Sequence, residues 1–298
     1  MNLRELLSPI RIYWDLPDAA SDEALCLRLC EEIKAAKILF LSLREPAVPV
    51  GECCRAVLGG LGGGMIGISL TVRPAAAEPS LLEDTVEAGA SIFVDTSSME
   101  EVRSFYGGKE GGGKSGVLPG VSFEIGKGLY REIPELIAFC LEKGIPDIIF
   151  PIQRLALNGP CVCAEREEEE ALAAALRKID YRALRIAIHD PFLWQLFYPD
   201  ADYHEGGCQA ANSMLYVSPD YKVYPCPAMP GELGDLHETT LLEIILSSAK
   251  KEVRRSLLDP PGECGPCERV AACLGGCRGR AFAAAGSLEL RDPACRRF

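Results

Sequence analysis

The chain has 298 residues, with 31 basic and 43 acidic side chains and a formal net charge of −12. That surplus excludes a general binder of nucleic acid or anionic membrane, because neutralising phosphates takes a basic field, and it suits a neutral or basic protein partner. A hydrophobic content of 48% fills a sizeable core. No uncharged apolar run approaches the length of a membrane span, and the start MNLRELLSPIRIYW lacks the apolar stretch of a secretory signal, so a cytoplasmic location is expected. Fourteen cysteines in a reducing compartment point to metal rather than disulfides.

Residues 10–16, IRIYWDL, read as a short strand. Ser21 then offers an N-cap, with Asp22 and Glu23 in the first turn of a helix reaching Ala36. Five further apolar runs, at residues 38–43, 66–72, 91–96, 121–125 and 148–152, read as buried strands. Helical stretches lie between them at 81–88, 98–105 and 129–143, with Ser98 and Glu101 spaced as a capping box. The acidic run 165–170 opens a last helix whose dipole it complements, and it carries no function. Six units of strand plus helix imply a parallel sheet, either doubly wound or a complete or partial β/α barrel.

Two glycine-rich stretches fail the tests of their motifs. Gly108 to Ser115, GKEGGGKS, matches a phosphate loop in which Lys114 and Ser115 would reach phosphate and magnesium. That chemistry needs a strand before the loop and a helix from the lysine, whereas MEEVRSFY before it reads as helix and a strand follows Pro119. GGLGGGMIG at 59–67 likewise joins a helix to a strand, the reverse of a dinucleotide fingerprint.

The stretch ECGPCERVAACLGGCRGR, residues 263–280, carries Cys264, Cys267, Cys273 and Cys277 at spacings that let thiolates share a metal or neighbouring clusters. Upstream, Cys208 and Cys226 flank SMLYVSPDYKVYP, a hairpin pattern with its turn at residues 218–221, so both thiolates meet at its open end. Cys295 follows in the tail. Zinc and iron-sulfur clusters both use such pairs.

Seven cysteines in this order resemble the SPASM domain, the auxiliary iron-sulfur module of radical S-adenosylmethionine (SAM) enzymes that modify peptides. The resemblance covers about the final ninety residues. It implies one [4Fe-4S] cluster on Cys264, Cys267, Cys273 and Cys295, and another on Cys208, Cys226 and Cys277 that is one thiolate short. Water, a substrate atom, His204 or the CVC pair Cys161 and Cys163 would complete it. Tyr221 departs from the pattern, standing where the motif has glycine; a positive φ there would cost on the order of 1 kcal/mol. Arg278 and Arg280 beside Cys277 either raise a cluster potential or pair with surface acids.

The same resemblance implies a radical-SAM-like barrel upstream, giving a partial (β/α)6 barrel over residues 1–200 and a SPASM domain over 201–298. Two features of that barrel are missing. The loop after the first strand lacks the C-x3-C-x2-C motif; Cys26 and Cys30 have the first spacing, but Ile33 stands third and all three fit a helix core. The Gly-Gly-Glu-Pro stretch survives only as SLREP, with Leu43 and Arg44 for the glycines before Glu45 and Pro46. Cys53, Cys54 and Cys140 receive no role, and His189 and His237 read as structural.

The chain thus resembles the SPASM-domain protein of the GeoRSP peptide-modification system. The resemblance implies a non-catalytic accessory protein, an electron relay or peptide-positioning partner with two [4Fe-4S] clusters and no SAM. Its partners would be an active radical SAM/SPASM enzyme and a peptide substrate or peptide chaperone. The alternatives are an active radical SAM enzyme with atypical ligands and a zinc-stabilised interaction scaffold.

Overall fold

The structure is a computed structural model that describes residues 5–17, 23–108, 118–201 and 207–296. Ser21, Asp22, Lys114, Ser115 and His204 therefore lie outside the described residues.

Strands and helices alternate as the apolar runs dictate: β1 (Arg11–Asp15), α1 (Glu23–Ala35), β2 (Phe40–Glu45), α2 (Glu52–Leu61), β3 (Gly67–Val72), α3 (Pro79–Glu87), β4 (Ser91–Thr96), α4 (Met99–Tyr106), β5 (Gly120–Phe123), α5 (Ile133–Lys143), β6 (Asp147–Phe150), α6 (Arg166–Leu176), β7 (Arg185–Ile188) and α7 (Pro191–Phe197). Then come β8 (Met214–Val217), β9 (Lys222–Tyr224), β10 (Gly234–Asp235), α8 (Leu241–Leu246), α9 (Ser248–Leu258), α10 (Val270–Cys273) and α11 (Arg278–Ala285).

The sheet order is β10-β9-β8-β1-β2-β3-β4-β5-β6-β7, parallel from β8 through β7. From β1 to β7 the order never reverses, so right-handed crossovers carry every helix to one face. A doubly wound sheet needs a reversal, and the partial barrel is the architecture formed. Its strands alternate accordingly: Leu41 and Leu43 of β2, and Ile68 and Leu70 of β3, are buried. Ser42, Ser69 and Thr71, at the alternate positions, line a cavity on the opposite, concave face.

Three local expectations change. β7 is an additional strand; its RIAI is only four residues long and sits at the sheet edge. Ser98 Oγ accepts the Glu101 N–H at 3.3 Å, but the Glu101 carboxylate accepts from Ser97 N at 2.7 Å, so the box is displaced by one residue. The 129–143 helix begins as a 3-10 turn, Leu129–Glu132. Both glycine-rich stretches follow a helix, α2 and α4, and precede a strand, β3 and β5, the order that neither nucleotide motif tolerates.

Cys26, Cys30 and Ile33 are buried on α1, and Cys26 Sγ donates to Cys53 O at 3.7 Å. Cys54 and Cys140 are fully enclosed. Burial pushes both thiols up, Cys140 to about 12, as for small core side chains.

Candidate metal centre

The hairpin of β8 and β9 forms where expected. Tyr221 N–H donates to Ser218 O at 3.0 Å, and at the open end Ala211 N–H donates to Pro225 O at 3.0 Å. Tyr221 has φ 59, the left-handed conformation that suits glycine. Its ring is 3% exposed and packs on Trp14 and edge-on to His237. The packing explains how a tyrosine holds that backbone.

Cys208 and Cys226, at the open end, meet Cys277 across one cavity of about 250 Å³, which His189, Trp194 and Gln209 also line. Burial, followed by the charges of Cys208 and Cys277, pushes the Cys226 thiol well up. Burial pushes Cys277 up to about 12 despite the opposing charge of Arg280. Among the described residues no three His, Cys, Asp or Glu side chains converge on a point for one ion; these thiols ring a cavity instead.

The second group is Cys264, Cys267, Cys273 and Cys295. Burial raises the Cys264 thiol, and the charges of Cys273, Cys295 and Cys267 add to it, which places all four within electrostatic reach. Between Cys273 and Cys277 the chain LGG takes three successive positive φ angles, 49, 94 and 75. A Cβ on Gly276 would stand 2.8 Å from Asp292 Cβ, so that position requires glycine.

Backbone amides are directed at the sulfurs: Ala210 and Arg278 at Cys208, Ala228 and Met229 at Cys226, Gly275 and Gly276 at Cys273, and Arg280 at Cys277. Such amides stabilise thiolate, the form that binds metal. Two buried guanidinium nitrogens, Arg254 Nη2 and Arg278 Nε, have no hydrogen-bond partner among the described residues. Arg254 Nη1 donates to Cys208 O at 2.6 Å, and Arg278 acts electrostatically on both Cys208 and Cys264. Idle buried donors on two cations call for an anionic acceptor. Thiolate-bound iron-sulfur clusters are anionic acceptors of that kind, and the donor set fits them.

Cys163, pushed up to about 12 by burial, faces Tyr130, Asp190 and Arg280 in a separate small cavity. Neither Cys161 nor Cys163 lines the cavity of Cys208, Cys226 and Cys277. His189, read as structural from the sequence, does line it. It directly follows β7, an unassigned strand whose C-terminal end is where barrels place functional groups. Burial holds its imidazole down at about 4, hence neutral.

Ion pairs fill the C-terminal rim of the barrel. Arg44 Nε and Nη2 donate to Asp95 Oδ2 at 3.2 and 2.7 Å, and Nη2 also reaches Glu124 at 3.2 Å. Arg154 grips Asp15 with bonds of 3.0 and 2.6 Å, and Tyr216 donates to the same carboxylate at 3.0 Å. The space beneath is about 110 Å³. Glu45, 1% exposed, accepts from Ala47 N and Gly51 N and braces the loop after β2.

Residues 208–269 match the SPASM family, described as an iron-sulfur cluster-binding domain. Over 92 residues, 30% of the chain, it is 38% identical to the AdoMet-dependent heme synthase of Methanosarcina barkeri. Over 148 residues, 47% of the chain, it is 27% identical to a PqqA peptide cyclase of Granulibacter bethesdensis. These matches span only 25% and 38% of the two relatives' own lengths. The fold is similar to that of Streptococcus suis SuiB, solved with S-adenosylmethionine bound: TM-score 0.68 at 16% identity, covering 98% of this chain and 78% of SuiB. The expected SPASM resemblance is thereby borne out over residues 208–269, and so is the α/β architecture. Among the described residues no helix is long and apolar enough to cross a membrane.

Proposed function

We propose that this chain is a non-catalytic iron-sulfur accessory protein of a radical SAM peptide-modification system of the GeoRSP kind. Residues 1–200 form a barrel that has lost SAM chemistry, and residues 201–298 seat two [4Fe-4S] clusters. One takes Cys264, Cys267, Cys273 and Cys295; the other takes Cys208, Cys226 and Cys277. The chain relays electrons to a separate, active radical SAM/SPASM enzyme or presents a peptide to it, in keeping with a relative that acts on the PqqA peptide.

The observation that carries this reading is the Arg44–Asp95 pair. Arg44 stands where the family has glycine, and its guanidinium bridges the barrel rim to Asp95 and Glu124. A bulky, ion-paired side chain there opposes the close backbone approach that the glycines permit. The loop after β1 has no cysteine to hold a SAM-cleaving cluster.

Iron, sulfide and zinc per chain, measured after anaerobic reconstitution, test the reading together with 5′-deoxyadenosine formation from SAM and dithionite. About eight irons with matching sulfide and no 5′-deoxyadenosine are expected. About twelve irons with 5′-deoxyadenosine would establish an active enzyme, and zinc without sulfide a structural scaffold.

A further inference from the structure

We infer that His189 is the fourth protein ligand of the cluster on Cys208, Cys226 and Cys277. The inference rests on the two-cluster reading and assigns a donor where the cysteine pattern is one short.

A cluster of four irons presents four terminal positions, and one cavity wall here carries three thiols of the same group and one imidazole. The other donors on that wall are committed or poor. Cys273 stands with Cys264 and Cys295 in the second group. The Gln209 amide accepts from Asn212 Nδ2 at 2.9 Å and donates to Gly207 O at 3.3 Å. Met214 offers only a thioether, a weak donor. Cys163 opens onto a different cavity, and neither it nor Cys161 lines this one. No hydrogen bond holds the His189 ring among the described residues, so coordination would cost it none.

The backbone on both sides of His189 is fixed. Ile188 before it pairs with Phe150 in the parallel ladder. Asp190 after it caps α7, its Oδ1 accepting from Phe192 N at 2.9 Å and Leu193 N at 3.0 Å. A ligand needs this kind of placement, on rigid elements with locked neighbours. His189 also borders a second, narrower cavity with Glu124 and Gln153, toward the barrel rim. Cys277 lines that cavity too.

Imidazole in place of thiolate makes an iron-sulfur centre less negative and raises its potential. Of the two clusters, the one with His189 is then the electron acceptor and the all-cysteine one the donor.

The experiment is pulsed EPR on the full chain, reconstituted anaerobically and reduced with dithionite, with natural-abundance and 15N-labelled histidine. A 14N coupling that converts to the 15N pattern is expected, and labelling leaves the fold untouched. The variant His189→Cys is expected to keep its iron and sulfide, lose the nitrogen coupling, and lower the midpoint potential of one cluster only. Full iron and sulfide with no histidine nitrogen coupling in the wild type would overturn the assignment. So would a coupling that persists in His189→Cys. Absence of iron and sulfide altogether would instead overturn the two-cluster reading, and the ligand with it.

Discussion

Arg280 and Asp292 face each other as a two-point pair, Nε to Oδ1 and Nη2 to Oδ2 both at 2.7 Å, with side chains 3% and 0% exposed. The third nitrogen, Nη1, donates to Asp190 after β7, and Asp292 accepts the Cys277 and Ala294 N–H groups at 2.7 and 2.9 Å. One arginine thus joins the barrel's last strand to the chain that carries Cys277 and Cys295. Removing one partner of a buried pair leaves uncompensated charge, at a cost of about 3–5 kcal/mol. Arg280→Met should lower stability by about that amount in urea denaturation of the apo chain, and cluster loading should fall with it. An unchanged midpoint would show that the pair contributes no net stability.

The two thiol groups predict a partition of iron. Cys264→Ala and Cys208→Ala should each remove about four irons and leave the other cluster's EPR signal in place. Loss of both signals in either variant would mean that the groups fold as one unit.

Tyr221 sets two effects of opposite sign against each other. Tyr221→Gly relieves a positive φ worth on the order of 1 kcal/mol. It also deletes a ring that is 3% exposed and packed on Trp14, and such deletions cost about 3–5 kcal/mol. Packing wins, so thermal denaturation should show a net loss of about 2–4 kcal/mol.

The parts that could be read from sequence were those with a local cause. The C-x2-C-x5-C-x3-C spacing, the Ser-Pro-Asp turn and the apolar runs act over a few residues, and the structure forms the hairpin, the alternation and the thiol groups from them. What was missed depends on contacts distant in sequence. β7 is four residues long and is stabilised by pairing with β6, so nothing local marks RIAI as strand. His189 gains its place only once that strand carries it to the thiol cavity. Arg280 is the same case: its partners lie 90 and 12 residues away, a half-buried acid and a fully buried one rather than the surface acids that proximity to Cys277 suggested.

Arg44 predicts what a reversal of its substitution does. The pair with Asp95 is partly exposed, with side chains at 32% and 16%. Solvent screening therefore limits its contribution to about 1 kcal/mol or less. The double change Leu43→Gly and Arg44→Gly should leave the chain folded yet still form no 5′-deoxyadenosine, because the loop after β1 lacks cluster ligands. Product above a no-protein control would show that the ligands come from elsewhere.

Arg278 and Arg254 make a prediction about potentials that separates the clusters. A reduced cluster is more negative than an oxidised one, so a nearby cation stabilises it and raises the midpoint. The Arg278 charge reaches Cys208 in one group and Cys264 in the other, whereas Arg254 acts on Cys208 and donates to its carbonyl. Both are almost fully enclosed, at 1% and 3% exposure, where screening is weak. Arg278→Gln should lower both midpoints in an EPR-monitored redox titration, and Arg254→Gln only that of the Cys208 cluster. Arg278→Lys keeps the charge and should restore most of the shift, which distinguishes an electrostatic effect from a packing defect. If neither midpoint moves in Arg278→Gln while iron content holds, the guanidinium serves only its carbonyl partners, Asp259 O at 2.9 Å, Leu274 O at 3.2 Å and Leu288 O.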